Sequence, residues 1–140
     1  MKIQTAAFVA LLALAGCDQH AGEATQESAQ AAQAKGKLQL SDGSSLLLNG
    51  SHLKSYAKPN SAGKLSMHEF SYPSMDKMAE NDVYMHMQKA GYTRKVISNA
   101  NNQYKVQYYK KDLPVVGGIY TMLNRDAKTE TVATLYWQEK

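Results

Sequence analysis

From Tyr92 to Gln138 turn chemistry cuts the chain into four segments of strand length, and no other feature narrows its folding options as far. Tyr92–Ser98 is followed by "NANN", Gln103–Lys111 by "DLP", Val115–Leu123 by "NRDAK", and Thr129–Gln138 closes the series. Two segments alternate with period two: Tyr104, Val106 and Tyr108 oppose Lys105, Gln107 and Tyr109, while Val132, Thr134 and Tyr136 oppose Ala133, Leu135 and Trp137. Such alternation places one set on a buried face and one on an outer face. Consecutive strands joined by short loops pair as an antiparallel meander.

One helix precedes the meander. Ser74 is its expected N-cap after Pro73, Asp76 and Glu80 suit its positive end, and Gly91 stops it, with Tyr92 folding back over Met87 in a Schellman ending. At 100° per residue Met75, Met78, Ala79, Val83, His86, Met87 and Ala90 share the side expected to be buried. Lys77, Glu80, Asn81, Tyr84 and Gln88 share the other. Upstream, short strands are expected at 37–41, 45–48 and 51–57, separated by turns at Asp42-Gly43 and Asn49-Gly50. A loop at Lys58–Gly63 and a strand at Lys64–Tyr72 follow.

The expectation is a single α+β domain over 37–140, in which one amphipathic helix packs on a curved antiparallel sheet and is followed by a four-stranded meander. This element order resembles the cystatin-like arrangement, which implies a curved sheet wrapped around the helix. The resemblance rests on order alone, so it implies nothing about protease inhibition.

Cys17 is the only cysteine of the chain, so packing rather than a disulfide must hold the domain. It follows Lys2 and an uncharged apolar run from Ala6 to Ala15, shorter than the roughly 20 residues that span a bilayer. Leu14-Ala15-Gly16-Cys17 resembles the lipobox of bacterial lipoproteins. That resemblance implies a signal peptide over 1–16, cleavage before Cys17, and three acyl chains on this cysteine that anchor the protein to a membrane. Asp18 resembles the residue that retains such lipoproteins at the periplasmic face of the inner membrane in enterobacteria, the outer membrane being the alternative. Residues 17–36 are rich in Ala, Gln and Glu and read as a tether, reaching roughly 25 Å as a flexible coil.

Between Lys37 and Lys140, 14 Lys and Arg stand against 9 Asp and Glu. The excess is scattered, which suits an acidic partner or an anionic membrane and not nucleic acid. Sequence patterns for a nucleophile elbow, a zinc peptidase or a phosphate loop do not occur, so no catalytic residue and no cofactor is assigned. Asp82 and His86, four apart on the helix, read as a satisfied pair unless a cleft and a third group join them. Soft-metal binding, with Met67, Met75, Met78, Met85, Met87, His68 and His86 as thioether and imidazole donors to copper, competes with core filling by the same methionines.

The expected role is therefore a non-enzymatic protein-binding module beside the membrane. An immunity or inhibitor lipoprotein against a periplasm-acting toxin needs these parts, and so does an accessory lipoprotein of an envelope or secretion assembly. The expected contacts are Arg94, Lys105, Tyr109 and Lys111, on the hairpin that follows the helix, because tyrosine and arginine are enriched in interfaces. The rival location is the early segment from Asn49 to Gly63.

Overall fold

The structure, a computed structural model, describes residues 35–140; Cys17, the signal sequence and most of the tether lie outside the described residues. Seven strands and one helix follow in the order β1 (Lys35–Gln39), β2 (Ser45–Asn60), β3 (Gly63–Tyr72), α1 (Asp76–Lys89), β4 (Thr93–Ala100), β5 (Gln103–Tyr109), β6 (Val116–Arg125) and β7 (Lys128–Gln138). Lys35 and Gly36, assigned to the tether by composition, already belong to β1.

All seven strands form one antiparallel sheet in the order β1-β2-β3-β7-β6-β5-β4. This overturns the expected helix packed on a four-stranded meander, and the cystatin-like arrangement with it: among the described residues the sheet dominates and there is one 14-residue helix. The difference comes from β3, which pairs with β7 from Leu65↔Gln138 to Tyr72↔Thr131 and joins the three N-terminal strands to the rest. Such pairing between distant segments leaves no local trace, whereas hairpins do.

The N-terminal strands also merge where a turn was expected. Asp42-Gly43 does turn: Gly43 has φ +84°, the Leu40 N–H donates to the Ser44 carbonyl at 2.8 Å, and the Ser44 N–H donates to Asp42 Oδ1 at 2.8 Å. Asn49-Gly50 instead lies inside β2. There a Cβ would stand 2.6 Å from Tyr72 Cζ, so the glycine serves a close approach of an aromatic ring and not a turn. The expected loop at Lys58–Gly63 shrinks to a tight connection, with β2 ending at Asn60 and β3 starting at Gly63.

The β6–β7 connection places Asp126 and Ala127 at φ +48° and +62°. Two such residues give the twist that a two-residue hairpin needs, but an alanine there is strained. Ala127→Gly should therefore raise stability by about 0.5–1 kcal/mol, read as a higher midpoint in urea with unchanged slope.

Helix α1 closes as its sequence predicts: the Tyr92 N–H donates to the Met87 carbonyl at 2.9 Å and the Gly91 N–H to Gln88, with Gly91 at φ +88°. Its start differs, because Met75 rather than Ser74 occupies the N-cap and no side chain caps it. Its buried face also differs. Ala79, Glu80, Val83 and Met87 are buried, while Met75 and Met78, expected inside, are more than half exposed.

Against that face pack Leu38 and Leu48 from β1 and β2, Phe70 and Tyr72 from β3, and Tyr108, Tyr120 and Leu135 from β5, β6 and β7. The sheet curls to do this. Lys110, just past β5, places Nζ 2.7 Å from Asp42 Oδ2 in the β1–β2 turn and donates to the Ala90 carbonyl at 2.8 Å, tying both halves of the sheet to the helix end.

Candidate functional site

Arg94 was expected at a solvent-facing contact, and the register places it on the other side. It pairs with Tyr108 across β4 and β5, so both point toward α1. Arg94 Nη1 donates to Glu80 Oε2 at 2.8 Å, and its guanidinium lies 4.1 Å from the Tyr84 ring centre. Glu80, 2% exposed, also accepts the Tyr108 hydroxyl at 3.0 Å, and the Tyr108 and Tyr120 hydroxyls are 2.7 Å apart. Arg94 is thus a strut between the edge strand β4 and the helix.

Burial raises the Glu80 carboxyl above the ordinary carboxylate range, against the opposing pull of the Tyr108 hydroxyl and Arg94. Between its ordinary and its raised pKa the folded protein holds the Glu80 proton more tightly than the unfolded chain does. Stability from this group is therefore full below that window and falls as pH rises through it. Comparing denaturation midpoints of the wild type and Glu80→Gln from pH 4 to 8 should show the difference growing to the disadvantage of the wild type as pH rises. A pH-independent difference would refute the assignment.

Lys105 and Tyr109 lie on the opposite, outer face of β5, because Tyr104, Val106 and Tyr108 fill the core. Lys111 is exposed in the turn after β5. The Tyr109 hydroxyl donates to Gln107 Oε1, which fixes the ring along the strand. The structure thus places Lys105 and Tyr109 on one face, Lys111 at their margin and Arg94 on the other face.

The outer face extends far beyond that hairpin. Cross-strand register lines up Tyr56, Met67, Tyr136, Gly117, Gln107 and Lys95 in one row over six strands. The Tyr136 ring lies over Gly117, where a Cβ would be 2.6 Å from Cε1. A neighbouring row runs from Lys54 and Glu69 through Thr134 and Ile119 to Lys105. At its β2 end Lys54 Nζ is 3.5 Å from Glu69 Oε2 and 5.1 Å from the Tyr56 ring centre, and the Tyr56 hydroxyl donates to Glu69 at 2.8 Å. The sequence showed the alternation of each strand but not the register that sets Tyr56, Met67 and Tyr136 side by side.

The rival segment, Asn49–Gly63, is no loop cluster: it is the outer half of β2 and its turn, exposed from Ser51 to Asn60. Asp82 and His86 lie side by side on the helix, His86 Nδ1 3.8 Å from Asp82 Oδ1, but the hydrogen bonds of both go elsewhere than to each other's side chain. His86 Nδ1 bonds the Asp82 main-chain carbonyl at 2.8 Å, while the Asp82 carboxylate takes the Tyr72 hydroxyl at 2.9 Å and the Asn49 N–H at 2.9 Å. The copper donors do not converge either: Met75, Met78 and Met85 are exposed on the helix, Met87 is in the core, and Met67 faces away from His68 on β3. Among the described residues no three His, Cys, Asp or Glu side chains group as metal ligands.

The chain matches no family model, no curated protein and no solved structure. No helix among the described residues is long and apolar enough to cross a membrane.

Proposed function

We propose that this chain is a membrane-anchored periplasmic lipoprotein acting as a protein-binding module, and that the outer face of its sheet is the binding surface. One observation carries the reading: α1 covers one side of the sheet, and the other side presents a row of Tyr56, Met67 and Tyr136 with lysines at its β2 and β4–β5 ends. On a sheet whose hydrogen bonds are already made, the tyrosines supply rigid contact area at small entropic cost and the methionine supplies an adaptable apolar surface. The cations at the margins suit an acidic partner.

Within the proposal Lys105, Tyr109 and Lys111 are contacts, joined by Tyr136, and Arg94 is a strut. An immunity or inhibitor role against a periplasm-acting toxin remains the leading assignment, with an accessory role in an envelope assembly as the alternative. A deletion strain lost to toxin-bearing siblings and rescued by the plasmid-borne gene supports the former. A deletion strain indifferent to siblings and defective in envelope assembly supports the latter.

The surface is tested once a partner is cross-linked from cells carrying a photoreactive residue at position 109. Tyr109→Ala should weaken binding by about 2 kcal/mol, and charge reversal at Lys105 and Lys111 should slow association more than it speeds dissociation. Unchanged affinity in these folded variants would move recognition to the β2–β3 ribbon. The anchor has its own test: Cys17→Ser should leave an unprocessed precursor without acyl label, and normal labelling would refute lipidation at this residue.

A further inference from the structure

The β2–β3 ribbon carries a second constellation, on the face opposite the proposed binding row. His52 pairs with Phe70 and Ser55 with His68, and all four share the helix side of the sheet. Ser55 Oγ lies 2.8 Å from His52 Nε2 and 2.8 Å from His68 Nδ1. Two imidazole nitrogens from neighbouring strands are therefore aimed at one point.

Both rings are held in place. His68 stacks on Trp137 with centroids 4.7 Å apart and planes 14° from parallel, and His52 stands edge-on to Phe70 at 5.4 Å. The second nitrogen of His68, Nε2, is 2.9 Å from Ser66 Oγ. A histidine that ligates a metal donates its other ring N–H to an oxygen, which fixes the tautomer and turns the free lone pair toward the ion. Ser66 stands in that position for His68.

We propose that His52 Nε2 and His68 Nδ1 bind an imidazole-preferring divalent cation, zinc, copper or nickel, at the point now taken by Ser55 Oγ. The hydroxyl swings aside and water completes the shell. Imidazole suits these three ions, and sites with open positions keep water on the metal. Only two protein ligands are assigned, so the site is shallow and exchangeable. It rests on none of the residues of the proposed binding row.

The test uses the full chain in detergent, titrated with zinc, copper(II) or nickel(II) chloride by calorimetry and by the emission of Trp137, the chain's only tryptophan. One ion per chain should bind saturably, with copper(II) quenching the emission of the indole stacked on His68. His52→Ala and His68→Ala should each weaken binding tenfold or more, and Ser66→Ala by about tenfold through the lost positioning bond. Ser55→Ala should leave binding equal or tighter, because its hydroxyl occupies the site. His86→Ala and His20→Ala, removing the chain's other imidazoles, should change nothing. If His68→Ala loses the native circular dichroism spectrum, His52→Ala decides, since its side chain lies on an exposed strand position. Absence of saturable binding, binding undiminished in His52→Ala, or binding lost with His20→Ala would overturn the site.

Discussion

Arg94→Ala should destabilise the domain by about 3 kcal/mol, the lower end of what breaking a buried ion pair costs. The lower end applies because the Arg94 side chain is 34% exposed whereas Glu80 is 2% exposed. The substitution leaves a carboxylate inside the core with the Tyr108 hydroxyl as its remaining partner, and the carboxylate must then stay charged without its counter-ion or take up a proton. The cost should therefore shrink as pH is lowered. Glu80→Gln combined with Arg94→Met should recover most of the loss, because neither charge is left alone. Urea denaturation of the three proteins at two pH values measures all of this. A loss within 0.5 kcal/mol, ordinary for a surface side chain, would return Arg94 to the solvent-facing role expected from sequence.

Gly50→Ala should cost about 2 kcal/mol, as overpacking in a close-packed interior does. Gly50 is not among the described glycines with positive φ, so its backbone accepts alanine, and the penalty comes from the Tyr72 ring alone. Tyr72 is 4% exposed and its hydroxyl donates to Asp82 Oδ2 at 2.9 Å, so displacing the ring also loosens a bond to the helix. Asp82 would keep its bonds from Asn49. Introducing Gly50→Ala into a Tyr72→Leu background should abolish most of the penalty, since no ring remains to be displaced. An equal penalty in both backgrounds would point to the backbone and revive the reading of Asn49-Gly50 as a turn.

The elements legible in the sequence are those whose causes are local. The helix end at Gly91 needs a residue that accepts positive φ, and the chain supplies one there. The alternation of Tyr104, Val106 and Tyr108 with Lys105, Gln107 and Tyr109 sorts β5 into a core side and an outer side, as period two requires. Asp42-Gly43 is a turn whose local causes the sequence carries: the Asp42 carboxylate accepts the Ser44 N–H and Gly43 takes a positive φ. Lys105 and Tyr109 fall on one outer face for the same reason.

The readings that failed depended on partners far along the chain. Glu80 looks like a surface residue of an amphipathic helix, and it is buried because Arg94, 14 residues on, and Tyr108, 28 residues on, supply a charge and a hydroxyl inside. Gly50 resembles a turn glycine until the ring of Tyr72 is found above it. Arg94 shares a hairpin with Lys105, yet register with Tyr108 sends it to the opposite face. By itself the sequence determined where most strands and the helix form and which side chains alternate, because those follow from backbone sterics and short-range period. Only the tertiary structure decided that β3 joins β7, that seven strands share one sheet, that Tyr56, Met67 and Tyr136 form a row, and that His52 and His68 both reach the Ser55 hydroxyl. Each of these is a contact between residues of different strands, fixed by which edges pair and which charges find partners, and no window of neighbouring residues contains that information.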